Sequence, residues 1–247
     1  MLQRTVHRTG LVGYRSPGLS AVGVPHLFTT RIGLGGAPTD LRESEGLALE
    51  ALRELALAPN NAPLVSMKQV HGARVHELGR ATGPLEGDAW TSSRSDLLAL
   101  VYTADCVPVL VASADGARVA AIHAGWRGLV AGVIPAALEQ LGARAAVGAI
   151  GPCLSLESCE MGPEVAEQFE RAGLGAAIAQ RVGQRPHIDL RVAARIQLER
   201  GGCTRIDVSD RCTYLHAGEL PSHRREVTHG GAAHAGRIGA FIAARPN

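Results

Sequence analysis

Three residues in this sequence, His71, Cys106 and His123, have side chains of the types that a mononuclear metal site uses, and each sits where a strand meets a turn. A thiolate and two neutral imidazoles suit zinc, and a site with three protein ligands keeps its fourth position for water or substrate. An ion held this way lowers the pKa of bound water toward roughly 7 and supplies hydroxide at neutral pH. Hydrolysis, deamination or polarisation of a bound small molecule is the chemistry such a centre would do. The intervals of 35 and 17 positions match no compact metal signature. A Cys beside an apolar strand, or a His at a strand end, ordinarily serves packing or hydrogen bonding. Spacing alone therefore leaves the site open.

The elements around these residues set where they can point. Leu64 to Val70 and Ala73 to Leu78 read as short strands flanking His71-Gly72. Leu97 to Tyr102, Val107 to Ala112 and Val119 to His123 are apolar runs of strand length, expected as buried sheet strands, with Cys106 in the turn before the second. Ala-Gly-Trp-Arg-Gly then leads into a helix over Leu129 to Leu141 that contains Pro135 and should kink or start late. An amphipathic helix from Thr39 or Asp40 to Ala58-Pro59, helices at Pro163 to Ala172 and Asp189 to Arg200, and strands at Ala145 to Ile150, Arg205 to Val208 and Arg237 to Ala243 complete the pattern. The His- and Gly-rich stretch from His216 to His234 reads as a mobile surface loop, not a second metal centre. The mixed order predicts an α/β fold, a single-domain α/β sandwich with mixed sheets over residues 1–247.

Composition narrows the class of function. The 25 basic and 23 acidic residues form no basic run, and aromatics are only 3%, so neither phosphate neutralisation nor base stacking is provided for and nucleic acid is not an expected partner. No segment is apolar enough to span a membrane or act as a signal-peptide core, and the five cysteines lack the spacing of a disulfide framework, so a reducing, cytoplasmic location is expected.

The residues Lys68-Gln69-Val70-His71-Gly72, Thr103-Ala104-Asp105-Cys106-Val107-Pro108-Val109 and Ile122-His123-Ala124-Gly125-Trp126-Arg127-Gly128 together resemble the signature of the YfiH-like family, long described as polyphenol oxidase or laccase-domain proteins. Thr30-Arg31-Ile32-Gly33, Gly87-Asp88-Ala89, Gly151-Pro152 with Cys159-Glu160, and Asp210-Arg211-Cys212-Thr213-Tyr214 add to a similarity running from about residue 28 to residue 242. The resemblance implies zinc on His71, Cys106 and His123 and a sandwich related to the catalytic domain of cytotoxic necrotizing factor. It also implies a purine nucleoside enzyme: members phosphorolyse adenosine, inosine and methylthioadenosine and deaminate adenosine. Phenol oxidation with copper and a peptidoglycan-precursor amidase role are the alternatives it carries. The chain departs from the family in lacking an Asn-Leu-Gly segment and an Asn-Arg pair between residues 35 and 55, and in reading Leu220-Pro-Ser-His-Arg-Arg where two Phe, Ser, Tyr and paired Arg are usual.

Cys106 and Asp105 are the candidate catalytic residues, Asp105 as a base or as the group that orients a ligand. Phosphorolysis needs anion-binding groups, and Arg127 at a helix start beside Gly128 offers a guanidinium with backbone N–H groups. Arg31, Arg224 and Lys68, the sole lysine of the chain, are further candidates for contacts to a purine nucleoside or phosphate. A multicopper oxidase would need His-x-His pairs, and none of the ten histidines lie two positions apart, although copper could still occupy a His-Cys-His site. A purely structural zinc would need a fourth protein ligand, for which Cys153, Cys159 and Cys212 are candidates.

Overall fold

The structure of the chain, a computed structural model, describes residues 1–32, 47–59, 61–79, 85–142, 146–179, 185–228 and 236–246. Two six-stranded sheets face each other. The first runs β1 (Gln3–Val6), β2 (Val12–Arg15), β3 (His26–Thr29), β14 (Ile238–Ile242), β7 (Leu98–Thr103), β4 (Leu64–Val65). The second runs β13 (Arg205–Val208), β10 (Val147–Ile150), β8 (Val107–Ala112), β9 (Val119–Ala124), β6 (Ala89–Ser92), β5 (Val75–Glu77). Both are mixed: β4 with β7, β10 with β13 and β5 with β6 pair in parallel, and the other ladders are antiparallel. A short ribbon of β11 (Ile178–Ala179) and β12 (His187–Ile188) lies apart.

Period-two alternation assigns each strand's side chains to a layer. On β8, Val107, Val109 and Val111 join the core shared with helices, while Leu110 and Ala112 join the core between the sheets. On β7, Ala99 and Val101 point between the sheets, whereas Leu98 and Leu100 pack with Leu52 and Leu55 of α2 (Leu47–Ala56). The second sheet is covered by α3 (Trp126–Val130), α4 (Val133–Leu141), α5 (Pro163–Arg171) and α6 (Leu190–Arg200), through Leu129, Ile134, Phe169 and Leu198 among others. The result is helix, sheet, sheet, helix, as the sandwich expectation requires. Burial on both faces explains why these strands read as continuous apolar runs. Small side chains between the sheets (Ala99, Ala112, Ala121, Ala240) leave room for Phe28 and Trp90, both buried.

Several boundaries differ from expectation. The strands around His71 are shorter, Leu64–Val65 and Val75–Glu77, because a turn built on Asp88 takes over the residues between them. The interruption expected of the helix over Leu129 to Leu141 is found: the chain breaks at Gly132, in the left-handed conformation with φ 80°, and α4 starts late, so that Pro135 falls in its first turn where its missing N–H costs nothing. The start expected at Thr39 or Asp40 lies outside the described residues. Strands β1 to β3 and β6 and the short α1 (Pro17–Ala21) were not expected. In the His- and Gly-rich stretch the loop reading is corrected: His223–Thr228 is a helix, α7, capped by Ser222, whose Oγ accepts from the N–H of Arg225 at 3.1 Å. Residues 229–235, with His229 and His234, lie outside the described set. Among the described residues, no helix is long and apolar enough to cross a membrane.

Candidate metal centre

His71, Cys106 and His123 arrive from three places in the second sheet: the turn before β5, the residue before β8 and the end of β9. Their ligand atoms all lie within 4.8 Å of one another, and the two imidazole rings meet edge to face with centroids 4.8 Å apart. One carboxylate organises two of the three. Asp88, fully buried at the start of β6, accepts the backbone N–H of His71 at 2.9 Å and of Gly72 at 2.7 Å. Its Oδ1 also takes Nδ1–H of His123 at 2.8 Å, and its carbonyl accepts the His123 N–H at 2.7 Å. The carboxylate thus fixes the His123 tautomer, turning its other nitrogen toward Cys106, and holds His71 at φ 61°, a left-handed conformation that a non-glycine residue adopts only when its surroundings compel it.

Two glycines of the Ala-Gly-Trp-Arg-Gly segment are required by close approach. A Cβ on Gly125 would sit 3.0 Å from the His71 ring and 3.1 Å from Cys106 Sγ, and one on Gly128 would sit 3.0 Å from the Gly72 carbonyl. Gln69 locks the two ligand loops together, donating to the Tyr102 carbonyl and accepting its N–H, both at 2.7 Å. Asp105, at φ 92°, spends one carboxylate oxygen on Thr213 Oγ1 at 2.7 Å and the other on the Arg224 N–H at 2.6 Å. It therefore holds the C-terminal wall against the turn that presents Cys106.

The electrostatics favour a cation. Burial opposes ionisation of the Cys106 thiol, but His123 and His71 outweigh it and bring its pKa below the ordinary value. Burial likewise pushes His123 down, but Asp88 and Cys106 outweigh it and raise it. Asp88 stays below the usual carboxylate range, because His123 and the N–H groups of Gly72 and His71 overcome its burial. An anionic field that draws a proton onto the cluster will also draw a metal ion, which displaces that proton. The donor set and the glycine cradle fit one ion of the zinc or copper type.

The three ligands sit on the wall of a cavity of about 890 Å³, within the size range of small-molecule sites. Trp126, Leu154, Met161 and Leu190 give it an apolar side, and Lys68, Tyr102, His223, Arg224 and Arg237 a polar one. Of the sequence candidates, Lys68, Asp105, Cys106 and Arg224 line this cavity. Lys68 is paired with Glu86 at 2.6 Å, and the Arg224 guanidinium donates to the carbonyls of Ser158 and Glu160. Arg31 and Arg127 are not among the lining residues: the Arg31 guanidinium donates to the Ala217 carbonyl, and Arg127 lies over the Trp126 ring, 4.4 Å from its centroid. Cys153, Cys159 and Cys212 do not join the cluster, which is the sole group of three or more metal-ligating side chains among the described residues, so none of them closes a structural site. Sequence reading passed over Asp88 and Gln69 as ligand-positioning residues. The Gly87-Asp88-Ala89 block was visible, but its hydrogen bonds join residues 16 to 35 positions apart.

Comparison with known proteins agrees over nearly the whole chain. The profile of the multi-copper polyphenol oxidoreductase laccase family matches residues 30–245. A purine nucleoside phosphorylase from Deinococcus radiodurans is 36% identical over 247 residues, covering 94% of this chain and 93% of that protein. The purine nucleoside phosphorylase YfiH of Escherichia coli is 35% identical over 201 residues, covering 78% and 80%. Among solved structures, a Neisseria meningitidis protein of the DUF152 family superposes with a TM-score of 0.76 at 27% identity, covering 91% of this chain and 95% of that one. YlmD from Geobacillus stearothermophilus superposes at 0.77 with 24% identity, covering 95% and 96%, a likeness of fold.

Proposed function

The chain belongs to the YfiH-like, laccase-domain family, and from that premise we propose that it is a metal-dependent purine nucleoside phosphorylase of the cytoplasm, with zinc as its ion. The observation that carries the reading is the His-Cys-His group, the one such group among the described residues, on the wall of a cavity large enough for a nucleoside and phosphate. Zinc bound there supplies a Lewis acid that polarises substrate or activates water. The chain's own residues do the rest. Asp88 orients the ligands, Trp126 adds to the apolar side of the cavity against which a purine would rest, and Arg224 with Lys68 brings positive charge for phosphate, Arg31 and Arg127 standing outside the lining as candidates. Cys106 and Asp105 remain the catalytic candidates, the first as ligand and the second through its hold on the cavity wall. Deamination of adenosine is a second outcome of the same centre, because water activated there would add at C6 of the purine and displace ammonia, leaving the bond to the sugar intact.

We read residues 1–247 as one domain, with the kinship to the cytotoxic necrotizing factor catalytic domain that the family resemblance implies. The five free cysteines support a reducing compartment. Copper-dependent phenol oxidation stands as the alternative from another class. The described residues hold one ligand cluster, whereas multicopper oxidation needs a second. Amide hydrolysis of a peptidoglycan precursor would use the same activated water.

Incubating metal-quantified protein with adenosine, inosine and methylthioadenosine, with and without phosphate, tests the proposal. Phosphate-dependent release of free base and a sugar phosphate is expected. A zinc-loaded preparation that leaves all three nucleosides intact, while a copper-loaded one oxidises phenols, would overturn it.

A further inference from the structure

A purine leaves a sugar carbon poorly as an anion, so phosphorolysis needs a proton donor over the base, and positioned side chains of this kind contribute about 100-fold to 10,000-fold. The titratable groups lining the cavity are mostly committed. His71, Cys106 and His123 form the metal cluster, Lys68 is bound to Glu86, and both Asp105 oxygens accept hydrogen bonds. Arg224 and Arg237 carry guanidinium groups, a side chain that donates hydrogen bonds and is not a general acid of ordinary proteins. His223 differs. It lines the cavity, is exposed to solvent, and has no hydrogen-bond partner among the described residues. Imidazole is also the side chain whose ordinary protonation change falls near neutral pH.

The backbone that carries His223 is held firmly. The next residue, Arg224, gives its N–H to Asp105 at 2.6 Å and its guanidinium to the carbonyls of Ser158 and Glu160 at 3.0 and 2.8 Å. Arg225 reaches the carbonyls of Thr213, Tyr214 and Leu220 at 2.6 to 2.9 Å. With Arg224 and Arg225 tied down, α7 presents His223 and, one turn on, Val227 to the cavity. Asp105 precedes the ligand Cys106, so the tether that places His223 is one residue from the metal cluster.

Resting on the nucleoside reading above, we infer that His223 is the general acid that protonates the departing purine. A phosphate oxygen bonds to C1′ as the C1′–N9 bond breaks with its electron pair passing to the base. The base takes the imidazolium proton at N7, and the proton of the phosphate returns the imidazole to its charged form. Deamination at C6 breaks no bond to the sugar and does not need this proton.

The test compares inosine with 7-methylinosine, whose N7 is already quaternary and whose base leaves without a proton. In the metal-loaded His223→Asn and His223→Gln proteins, kcat/KM for inosine phosphorolysis should fall by about 100-fold or more, while that for 7-methylinosine stays within about threefold of the unmodified protein. The basic limb of the inosine pH profile should disappear in both variants. Metal content and thermal midpoint, measured alongside, should match the unmodified protein. Equal losses on the two nucleosides, or no loss on either, would overturn the role of His223 and leave the nucleoside reading standing. If the unmodified protein releases no base from inosine, 7-methylinosine, adenosine or methylthioadenosine, the nucleoside reading has failed, and the role of His223 with it.

Discussion

Two buried histidines, His26 in β3 and His123 in β9, are 0% and 2% exposed and have opposite proton preferences. Both nitrogens of His26 are used by the backbone: Nδ1–H donates to the Val24 carbonyl at 2.9 Å and Nε2 accepts from the Ser16 N–H at 2.8 Å. A proton on Nε2 would face another N–H, and burial, the main cause, pushes its pKa down to about 4. His123 gives one nitrogen to a carboxylate and turns the other to a thiol, and its pKa rises. The first ring is closed and the second is open. Burial is common to both, so it does not mark a functional histidine. The partner of the second nitrogen does.

The largest break in this comparison should come from Cys106→Ala, which removes the group that the open ring faces. Bound metal should drop from about one per chain to below about a tenth, since two imidazoles alone hold zinc poorly. Elemental analysis showing normal metal in a folded Cys106→Ala protein would sink the centre.

The closed ring should show itself in acid. Below about pH 6.5 the unfolded chain binds a proton that folded His26 refuses until about pH 4, so stability falls as pH drops through this window and levels off below it, a loss of about 3 kcal/mol. Urea unfolding of the unmodified protein and His26→Gln at several pH values between 7.5 and 4 isolates this contribution, because both share the same metal centre. Equal losses of stability in the two proteins would contradict the neutral, closed ring.

Asp88→Asn sharpens the comparison from the other side. It keeps the shape but removes the charge that orders His123, and should weaken metal binding by about 10-fold to 100-fold. Competition with a chromogenic chelator reads this directly. An unchanged affinity would mean that the carboxylate shapes the His71 turn and nothing more.

The parts legible in the sequence were those with short-range signals. Val107 to Ala112 and Val119 to His123 read as strands because both faces are buried, and the three ligands stood out through the motifs around them. The ligand positions were thus legible, and their geometry was not. Asp88 reaches Gly72 and His123 across 16 and 35 positions, and Asp105 reaches Thr213 and Arg224 across 108 and 119. No local pattern reports such pairs. The helix at His223–Thr228 was hidden by averaging over a segment rich in Gly and Ala, although Pro221-Ser222 ahead of it was a readable cap. Strands β1 to β3 are four residues each, too short for periodicity to outweigh the glycines and prolines between them.

The position of β14 bears on how the chain comes into being on a ribosome. It is the last of the described elements to be synthesised, yet it lies inside the first sheet, hydrogen-bonded to β3 on one side and β7 on the other. The strands next to Cys106 and bearing His123 pair over short sequence distances, so the centre of the second sheet can form early in translation, with β13 joining its edge later. The first sheet stays divided until Ile238–Ile242 emerges, with two apolar edges bare in the meantime. A nascent chain of this kind needs protection from its neighbours longest at the sheet that does not bind the metal.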